Sequence, residues 1–196
     1  MDRIENESIN DSKRLSISDE LSFIKLNGEK RKVADFLFLN QDSLFISNQD
    51  FAEVQYVNSF APFYLIRDLV KSKKINKEAS IVLVSSISGS RIGAKGLISY
   101  VTSKSALVGM SKSLALELAK QKMRVNCVLP GMIKDTLLNN TSAFSEEQLL
   151  EDKKKYPLGD YGTCEDVSNA IYFLLSDLSK YITGAELVID GGLTLN

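Results

Sequence analysis

Tyr100 and Lys104 stand four residues apart in the segment SYVTSK, a spacing that could support acid–base chemistry. On a helix, residues four apart share one face, so the ammonium would lie near the phenol. A nearby positive charge favours the phenolate and lowers a tyrosine pKa from its ordinary value of about 10. Tyr100 is therefore a candidate proton donor, although two such residues on an exposed helix face usually have no role.

Ser86 ends the apolar run SIVLVSS (80–86), which predicts a strand in front of the Tyr100 helix. Open α/β sheets bind ligands at the carboxyl ends of their strands, so the Ser86 hydroxyl could reach the same pocket. Ser85 and Ser88 are equally available as loop capping groups. The serine is therefore informative only in combination with the tyrosine and the lysine.

The stretch SSISGSRIGAKGLISY (85–100) has the glycines of a nucleotide-binding loop. A P-loop needs four residues between its glycines and then Gly-Lys-Ser/Thr, whereas three residues separate Gly89 from Gly93 and Lys95 is followed by Gly96. The spacing also departs from the G-x-G-x-x-G pattern of dinucleotide sites. We therefore expect these small residues to shape a loop over a substrate and not to cradle a phosphate.

The absence of histidine narrows the possible chemistry. It removes the usual base of nucleophilic hydrolases and the usual ligand of zinc sites, and no metal site is predicted. Proton chemistry must use Tyr, Lys, Asp, Glu or Cys. Cys127 in a predicted strand and Cys164 at the start of a predicted helix have no disulfide motif behind them, so both are expected to be free thiols.

The composition indicates a globular protein. A chain of 196 residues with 44% apolar residues has room for one domain with a sizeable core. A formal charge of −1 gives no basic field for nucleic acid or an anionic membrane surface, so neither partner is predicted. The start is polar, and no window approaches eighteen consecutive apolar residues. These features predict a soluble, cytoplasmic protein.

Apolar strands alternate with helical patterns, which predicts an α/β fold with a parallel sheet covered on both faces. Residues 1–13 are predicted to be a loose arm, and RLSIS (14–18) alternates as a short strand. Pro62 lies inside one helical period and could kink that helix. The predicted strands are VADFLFLN (33–40), SIVLVSS (80–86), MRVNCVLP (123–130) and ELVID (186–190), and the predicted helices span 50–72, 97–120, 145–155 and 164–177.

The last three quarters of the chain resemble the short-chain dehydrogenase/reductase family, and within it the bacterial 3-oxoacyl-carrier-protein reductases of fatty acid or polyketide metabolism. The matching segments are SIVLVSSISG, YVTSKSALVGMSKSLALEL, RVNCVLPG and YITGAELVIDGG, with Asn58 in front of them. The resemblance implies a Rossmann-like, doubly wound parallel sheet in three layers. It also implies a nicotinamide cofactor, NADP or NAD.

The resemblance implies a role for each matching residue. Asn58 matches the helix asparagine that holds a water linked to the lysine. Ser86 matches the serine that hydrogen-bonds the substrate carbonyl, with Ser85 as the alternative if the loop shifts by one residue. Tyr100 matches the proton donor, and Lys104 matches the lysine that lowers the tyrosine pKa and holds the nicotinamide ribose.

Three further residues match the family's cofactor-binding turn. Pro130 and Gly131 match the turn itself, and Ile133 matches the residue whose backbone meets the nicotinamide carboxamide. The family often has threonine just beyond, whereas Asp135 stands at that position here and Thr136 follows it. The sequence thus departs from the family pattern at this point.

The first part of the family's cofactor site has no counterpart in the sequence. The family binds the cofactor diphosphate with a TGxxxGxG turn, whereas Gly28 is the single glycine before Gly89. Only 32 residues precede VADFLFLN, which aligns with the family's fourth strand, and one strand–helix–strand unit takes about 30 residues or more. We therefore expect a single truncated Rossmann-like domain over residues 1–196, incomplete in its N-terminal half.

Two expectations concern this N-terminal part. The segment RLSISDELSFIKL (14–26) is interpreted as a remnant of the family's third strand and following helix, with Asp19 near the adenine-contacting acidic position. Loss of the first strand would expose an apolar edge at residues 35–39, and such edges promote aggregation. RLSIS or a partner chain is therefore expected to cover that edge.

The sequence supports an enzyme and also a non-catalytic alternative. The enzyme is an NAD(P)H-dependent carbonyl reductase acting on a 3-oxoacyl or similar small carbonyl substrate, free or carrier-bound, with Tyr100 as proton donor. The alternative is a pseudoenzyme that pairs with a full-length relative through helices 50–72 and 97–120, or a truncated gene product. The same helices would join identical copies in a homo-oligomer.

Overall fold

The computed structural model describes residues 45–134 and 145–195, together with the backbone of residues 23–26 and 29–32. Three predicted features of the N-terminal part lie outside these residues, and so does the predicted apolar edge at residues 35–39. They are the arm at 1–13, the strand at 14–18 and the strand at 33–40.

The first of two compact units, residues 1–37, contains an antiparallel hairpin. Strand β1 (Phe23–Leu26) pairs with β2 (Glu29–Lys32), and the register leaves two residues between them. These two residues are Asn-Gly in the sequence, the dipeptide most typical of tight hairpins. The interpretation of residues 14–26 as a strand followed by a helix is therefore wrong for residues 23–26, which pair as a strand with the segment that follows them.

The second unit, residues 38–196, contains a three-stranded parallel sheet among its described residues. Its strands are β3 (Ser80–Val84), β4 (Arg124–Pro130) and β5 (Glu186–Ile189), in the spatial order β3-β4-β5. All three coincide with predicted strands. Short apolar runs of this kind suit a parallel sheet that helices cover on both faces.

Strand β4 is the central strand of this sheet. Ser80 at the start of β3 pairs with Arg124, and Cys127 pairs with Glu186 at the start of β5. The β4 residues 125–129 are completely buried. The two neighbouring strands and the helices on the two faces of the sheet therefore shield β4 from water.

The helices of the second unit lie within or close to their predicted spans. The first predicted helix is divided by a π-helical turn at Tyr56–Phe60. The helices are α1 (Asn48–Gln55), α2 (Ala61–Lys71), α3 (Ile98–Leu118), α4 (Glu146–Lys153) and α5 (Cys164–Leu175). Ser145 and Thr163 begin α4 and α5 with capping boxes, in which side chain and backbone bond reciprocally.

Pro62 lies in the first turn of α2, directly after the π-helical turn. Proline has no N–H, so it cannot bond the carbonyl four residues earlier, which belongs to Asn58. The N–H of Ala61 reaches back five residues instead, to the carbonyl of Tyr56. The helix therefore continues through Pro62, and its one irregular part is the wider π-helical turn that precedes the proline.

The sheet separates two helical layers. Side chains alternate along β4, and Val125, Cys127 and Leu129 join a core with residues of α3. On the opposite face, the Arg124 guanidinium donates to the carbonyl of Leu174 at 2.8 Å, at the end of α5. The order helix, sheet, helix agrees with the predicted three-layer α/β architecture.

The two cysteines are free thiols, as predicted. Cys127 is buried in β4, and burial raises the pKa of its thiol to about 11. Cys164 is exposed at the start of α5. Within the described residues, no helix has the length and apolar character needed to cross a membrane.

Candidate active site

The end of β3 delivers two adjacent serines to α3, and they have different partners. Ser85 is buried, and its Oγ donates to the backbone carbonyl of Lys104 at 2.7 Å. Ser86 is also buried, and its Oγ accepts a backbone N–H of the 3₁₀ turn Ile87–Gly89. The Ser86 hydroxyl also interacts with the Tyr100 phenol. Of the two serines, Ser86 is therefore the one whose hydroxyl lies against the Tyr100 phenol.

Gly89 allows the loop after β3 to lie directly on α3. A Cβ atom here would lie 2.8 Å from the backbone carbon of Lys104 and the backbone nitrogen of Ser105, closer than side-chain carbons approach. The Ser105 hydroxyl donates to the Gly89 carbonyl. Gly89 therefore serves close packing between the loop and the helix.

Tyr100 and Lys104 lie next to one another in the first two turns of α3. The Lys104 Nζ is 5.7 Å from the centre of the tyrosine ring. The same ammonium donates to the backbone carbonyl of Val84, at the end of β3, at 3.0 Å. The lysine thus joins the helix that carries the phenol to the strand that precedes the serine.

The pKa of Tyr100 differs from the sequence-based expectation. Burial raises the pKa of its phenol above the ordinary value, and the hydrogen bond with Ser86 only partly offsets this. Burial also lowers the pKa of Lys104. The expectation of a lowered tyrosine pKa is wrong for this structure. Burial removes water from the phenolate and raises the pKa, whereas the Lys104 ammonium, which would lower it, donates its hydrogen bond to the Val84 carbonyl.

Asn58 is connected to the site through a serine. It lies in the π-helical turn, and its Nδ2 donates to the Oγ of Ser103 at 3.0 Å. That hydroxyl donates in turn to the backbone carbonyl of Tyr100 at 2.7 Å. Sequence analysis did not single out Ser103, since a small buried polar residue inside a helix gives no signal until its neighbouring helix is known.

The turn after β4 lies beside the serine loop. A Cβ atom on Gly131 would be 3.7 Å from the side chain of Ile87, and 3.1 Å from Asp190 after β5. The N–H of Gly131 donates to the carbonyl of Ile189 at 2.9 Å. Pro130 ends β4 immediately before this glycine. The turn predicted to contact a cofactor therefore lies next to the loop that holds the candidate catalytic serine.

Ile133 is buried and forms a parallel bridge with Gly162. The bridge uses the carbonyl of Met132 and the N–H of Lys134, so the backbone groups of Ile133 point away from Gly162. The role that the family resemblance implies for the Ile133 backbone stays a prediction. Asp135 and Thr136 lie outside the described residues.

Asp160 makes two ion pairs near the turn after β4 that sequence analysis missed. Its carboxylate contacts the ammonium of Lys134 at 2.6 Å and that of Lys153 at 3.0 Å. These hydrogen bonds hold the pKa of Asp160 well below its usual range. Asp160 therefore joins the segment after β4 to α4. No local pattern could have revealed this, since Lys134 is distant from Asp160 in the chain.

A cavity of about 540 Å³ lies between the segment after β4 and α4. None of the four candidate catalytic residues lines it. Among the described residues, no group of three or more cysteine or acidic side chains is placed to hold a metal ion. The lining residues are Met132, Glu147, Gln148, Leu149, Glu151, Asp152, Lys155 and Tyr161.

Comparison with known proteins identifies the family. The family model described as enoyl-(acyl carrier protein) reductase matches residues 31–194. The chain belongs to the short-chain dehydrogenase/reductase family, as its motifs predicted. It is 39% identical over 159 residues to the 3-oxoacyl-[acyl-carrier-protein] reductase of Rickettsia bellii, covering 80% of this chain and 64% of that protein. The reductase of the same name from Aquifex aeolicus is 36% identical over 157 residues, covering 79% and 62%.

Solved structures confirm the predicted Rossmann-like fold class. A short-chain dehydrogenase family protein of Francisella tularensis is 33% identical with a TM-score of 0.71, covering 78% of this chain and 65% of that one. A 4-hydroxyisoleucine dehydrogenase mutant complexed with NADH and succinate is 35% identical with a TM-score of 0.72, covering 79% and 63%. The chain thus spans less than two thirds of the length of these relatives.

Proposed function

We propose that this chain is an NAD(P)H-dependent carbonyl reductase that acts on a 3-oxoacyl or similar small carbonyl substrate. One observation carries the proposal: the Ser86 hydroxyl meets the Tyr100 phenol, and the Lys104 ammonium lies 5.7 Å from that ring. The three groups gather at the carboxyl end of β3, where open α/β sheets bind ligands. The names of the similar Rickettsia and Aquifex proteins favour a 3-oxoacyl group bound to acyl carrier protein.

Two hydroxyl groups would act on the same substrate oxygen. The Ser86 hydroxyl donates a hydrogen bond to the carbonyl oxygen, and the Tyr100 phenol transfers its proton to that oxygen as it becomes an alkoxide. A phenol has an ordinary pKa of about 10, so it is protonated at neutral pH, as a proton donor must be. Burial raises the pKa of Tyr100 and so favours the same form. The neighbouring Lys104 ammonium would stabilise the phenolate that remains after the transfer.

A nicotinamide cofactor, when bound, supplies the hydride that reduces the carbonyl carbon. Tyr100, Lys104 and the turn at Pro130, Gly131 and Ile133 fit the nicotinamide end of such a cofactor, because they surround the carboxyl ends of β3 and β4. The NADH in the 4-hydroxyisoleucine dehydrogenase complex supports this type of cofactor. The proposal covers NADH and NADPH equally, since the residues that read the 2′ position belong to the part without a counterpart here.

The diphosphate end of the cofactor has no matching turn in these 196 residues, which contain no TGxxxGxG. Each charge-assisted hydrogen bond lost costs roughly 1.5–3 kcal/mol, so the affinity should be well below that of a site with the complete turn. We therefore expect binding to be measurable but weak.

Calorimetric titration with NADPH and NADH, followed by turnover of an acetoacetyl thioester, tests the proposal. We expect a dissociation constant in the micromolar range or weaker for one of the cofactors, together with substrate-dependent oxidation of it. Lys104→Met should weaken binding, because it removes the ammonium beside the nicotinamide end. Lys120→Met, at an exposed lysine beyond α3, should bind as the unaltered protein does. A folded protein with neither binding nor turnover would contradict the proposal.

A second candidate function is that of a non-catalytic subunit. We define an aromatic ridge by four exposed side chains, Tyr56, Phe60, Phe63 and Tyr64, on the helix formed by α1, the π-helical turn and α2. Neighbouring rings of the ridge pack with centres 5.9 to 6.5 Å apart. Contiguous exposed apolar surface of this kind typically marks a protein–protein contact. The ridge favours assembly with a second subunit, either another copy of this chain or a full-length relative.

Phe60→Glu tests whether the ridge assembles. Phe60 lies at the centre of the ridge and is 48% exposed. A charge at this position should therefore be tolerated by the fold but not by an apolar interface. We expect light scattering to show an oligomer for the unaltered chain and a monomer for this variant. Leu158→Glu, at a residue 84% exposed on a distant turn, should leave the mass unchanged. A monomeric unaltered chain, or an unchanged mass for Phe60→Glu, would contradict the assembly role.

A further inference from the structure

Glu186 is a largely buried carboxylate that lies outside the group of candidate catalytic residues. Its side chain is only 13% exposed at the start of β5, on the face of the sheet that α3 covers. It contacts the Lys112 ammonium on α3 at 2.6 Å. The interactions with Lys112 and then with Ser90 lower the pKa of Glu186, so the group is a carboxylate at neutral pH.

The same carboxylate reaches the loop that carries Ser86. The hydroxyl of Ser90 donates to Glu186 Oε2 at 2.7 Å, and the guanidinium of Arg91 contacts that oxygen at 3.4 Å. Ser90 and Arg91 directly follow the 3₁₀ turn that Ser86 caps. Glu186 therefore connects three elements: the end of the turn, α3 and β5.

The two ends of this turn are held in different ways. At its start, Ile87 is buried in the core. At its end, residues 90–93 are all exposed, so apolar burial contributes little there. The amides of Arg91 and Ile92 bond back to the Ile87 carbonyl within the turn itself. The Ser105 hydroxyl on α3 donates to the Gly89 carbonyl at the end of the turn. The bonds to Glu186 fasten the next two residues, Ser90 and Arg91, to the sheet.

We infer that Glu186 is a positioning residue, which holds the turn after Ser86 through Ser90 and so fixes the Ser86 hydroxyl against the Tyr100 phenol. The inference rests on the proposed function only where it states that the position of the Ser86 hydroxyl affects catalysis. Glu186 touches neither hydroxyl, and its effect is transmitted by the backbone between Ser86 and Ser90. The Lys112 contact orients the carboxylate from the helix side.

Amide hydrogen exchange of residues 88–92 tests the inference in the whole chain, without any need for activity. Ser90→Ala removes the shorter of the two contacts between Glu186 and the loop, and it leaves the Arg91 contact and the pair between Glu186 and Lys112. Lys112→Met removes that pair but leaves the bond to Ser90. We expect exchange in the turn to accelerate about tenfold in Ser90→Ala and in Glu186→Ala, and to change less than about twofold in Lys112→Met. Ser90 is exposed, so its variant should fold even if the Glu186 variant does not.

Two exchange results would overturn the inference. One is unchanged exchange at residues 88–92 in Ser90→Ala. The other is equal acceleration in Lys112→Met, which would mean that Glu186 only contributes a pair between strand and helix. Glu117→Ala, at an exposed residue of α3, controls for a general loss of stability.

Turnover separates this inference from the proposed function. If the unaltered chain reduces a carbonyl substrate, Ser90→Ala should lower kcat about tenfold and change KM little, since the substrate-binding surface is retained. An unchanged kcat in a variant with a loosened turn would overturn the link to Ser86. If the unaltered chain has no activity, the proposed function fails, and the exchange pattern still decides whether Glu186 holds the turn.

Discussion

Tyr100→Phe should reduce carbonyl reduction by about 10²–10⁴-fold, the usual contribution of a positioned general acid. The substitution removes the proton donor but keeps the ring that packs beside Lys104. Stability should fall by no more than about 1.5 kcal/mol, because one hydrogen bond, that with Ser86, is lost. Steady-state turnover of an acetoacetyl thioester, with denaturant unfolding of the same sample, measures both quantities.

Tyr181→Phe is the matched control, since Tyr181 is fully exposed after α5 and the same hydroxyl is removed there. It should retain both activity and stability. Turnover that survives in Tyr100→Phe would remove Tyr100 from the mechanism. A large loss of stability in that variant would instead show that the phenol acts mainly in the fold.

Gly89→Ala should displace the loop after β3, because an added Cβ at Gly89 would come too close to other atoms. The added carbon would lie 2.8 Å from backbone atoms of Lys104 and Ser105, which cannot move without displacing α3. The loop must therefore lift, at a cost of about 1–3 kcal/mol for overpacking. Because Ser86 lies at the start of the same turn, a displacement of about 1 Å could lower turnover about 10²-fold.

Gly93→Ala provides the matched control on the same loop. A Cβ atom on Gly93 would meet nothing within 4 Å, so its stability and activity should stay close to those of the unaltered chain. Urea unfolding and turnover of both variants give the comparison. Equal stability of Gly89→Ala and Gly93→Ala would show that the loop after β3 does not pack directly on α3 at Gly89.

Residues with a strong local pattern were predicted well. The strands at β3, β4 and β5 stand out as apolar runs, and α3 and α5 as long helical periods, because burial on a sheet imposes these periods on the sequence. The hairpin at residues 23–32 was missed, although Asn-Gly lies at its centre. Residues 14–26 were interpreted from the order of strands and helices in the family, and the Asn-Gly turn signal that follows them was not used.

The candidate site was predictable in its residue types but not in its connections. A helical spacing of four places Tyr100 beside Lys104, yet it carries no information on burial, which decides the direction of the tyrosine pKa. The choice between Ser85 and Ser86 also needed the fold, since each serine could bond α3 until the strand end was fixed. Glu186 and Ser103 have partners distant in sequence, and such contacts leave no periodic pattern.

The strand pairings have a consequence for the order of folding. β4 pairs Arg124 with Ser80 on one side and Cys127 with Glu186 on the other, so both pairings join distant parts of the chain. Contacts of this range form slowly, because the loop entropy is lost before the contacts are gained. During synthesis, β4 has an open apolar edge until β5 leaves the ribosome. The nascent chain should therefore be prone to aggregation in this interval, and a stop codon before residue 186 should yield an aggregating product.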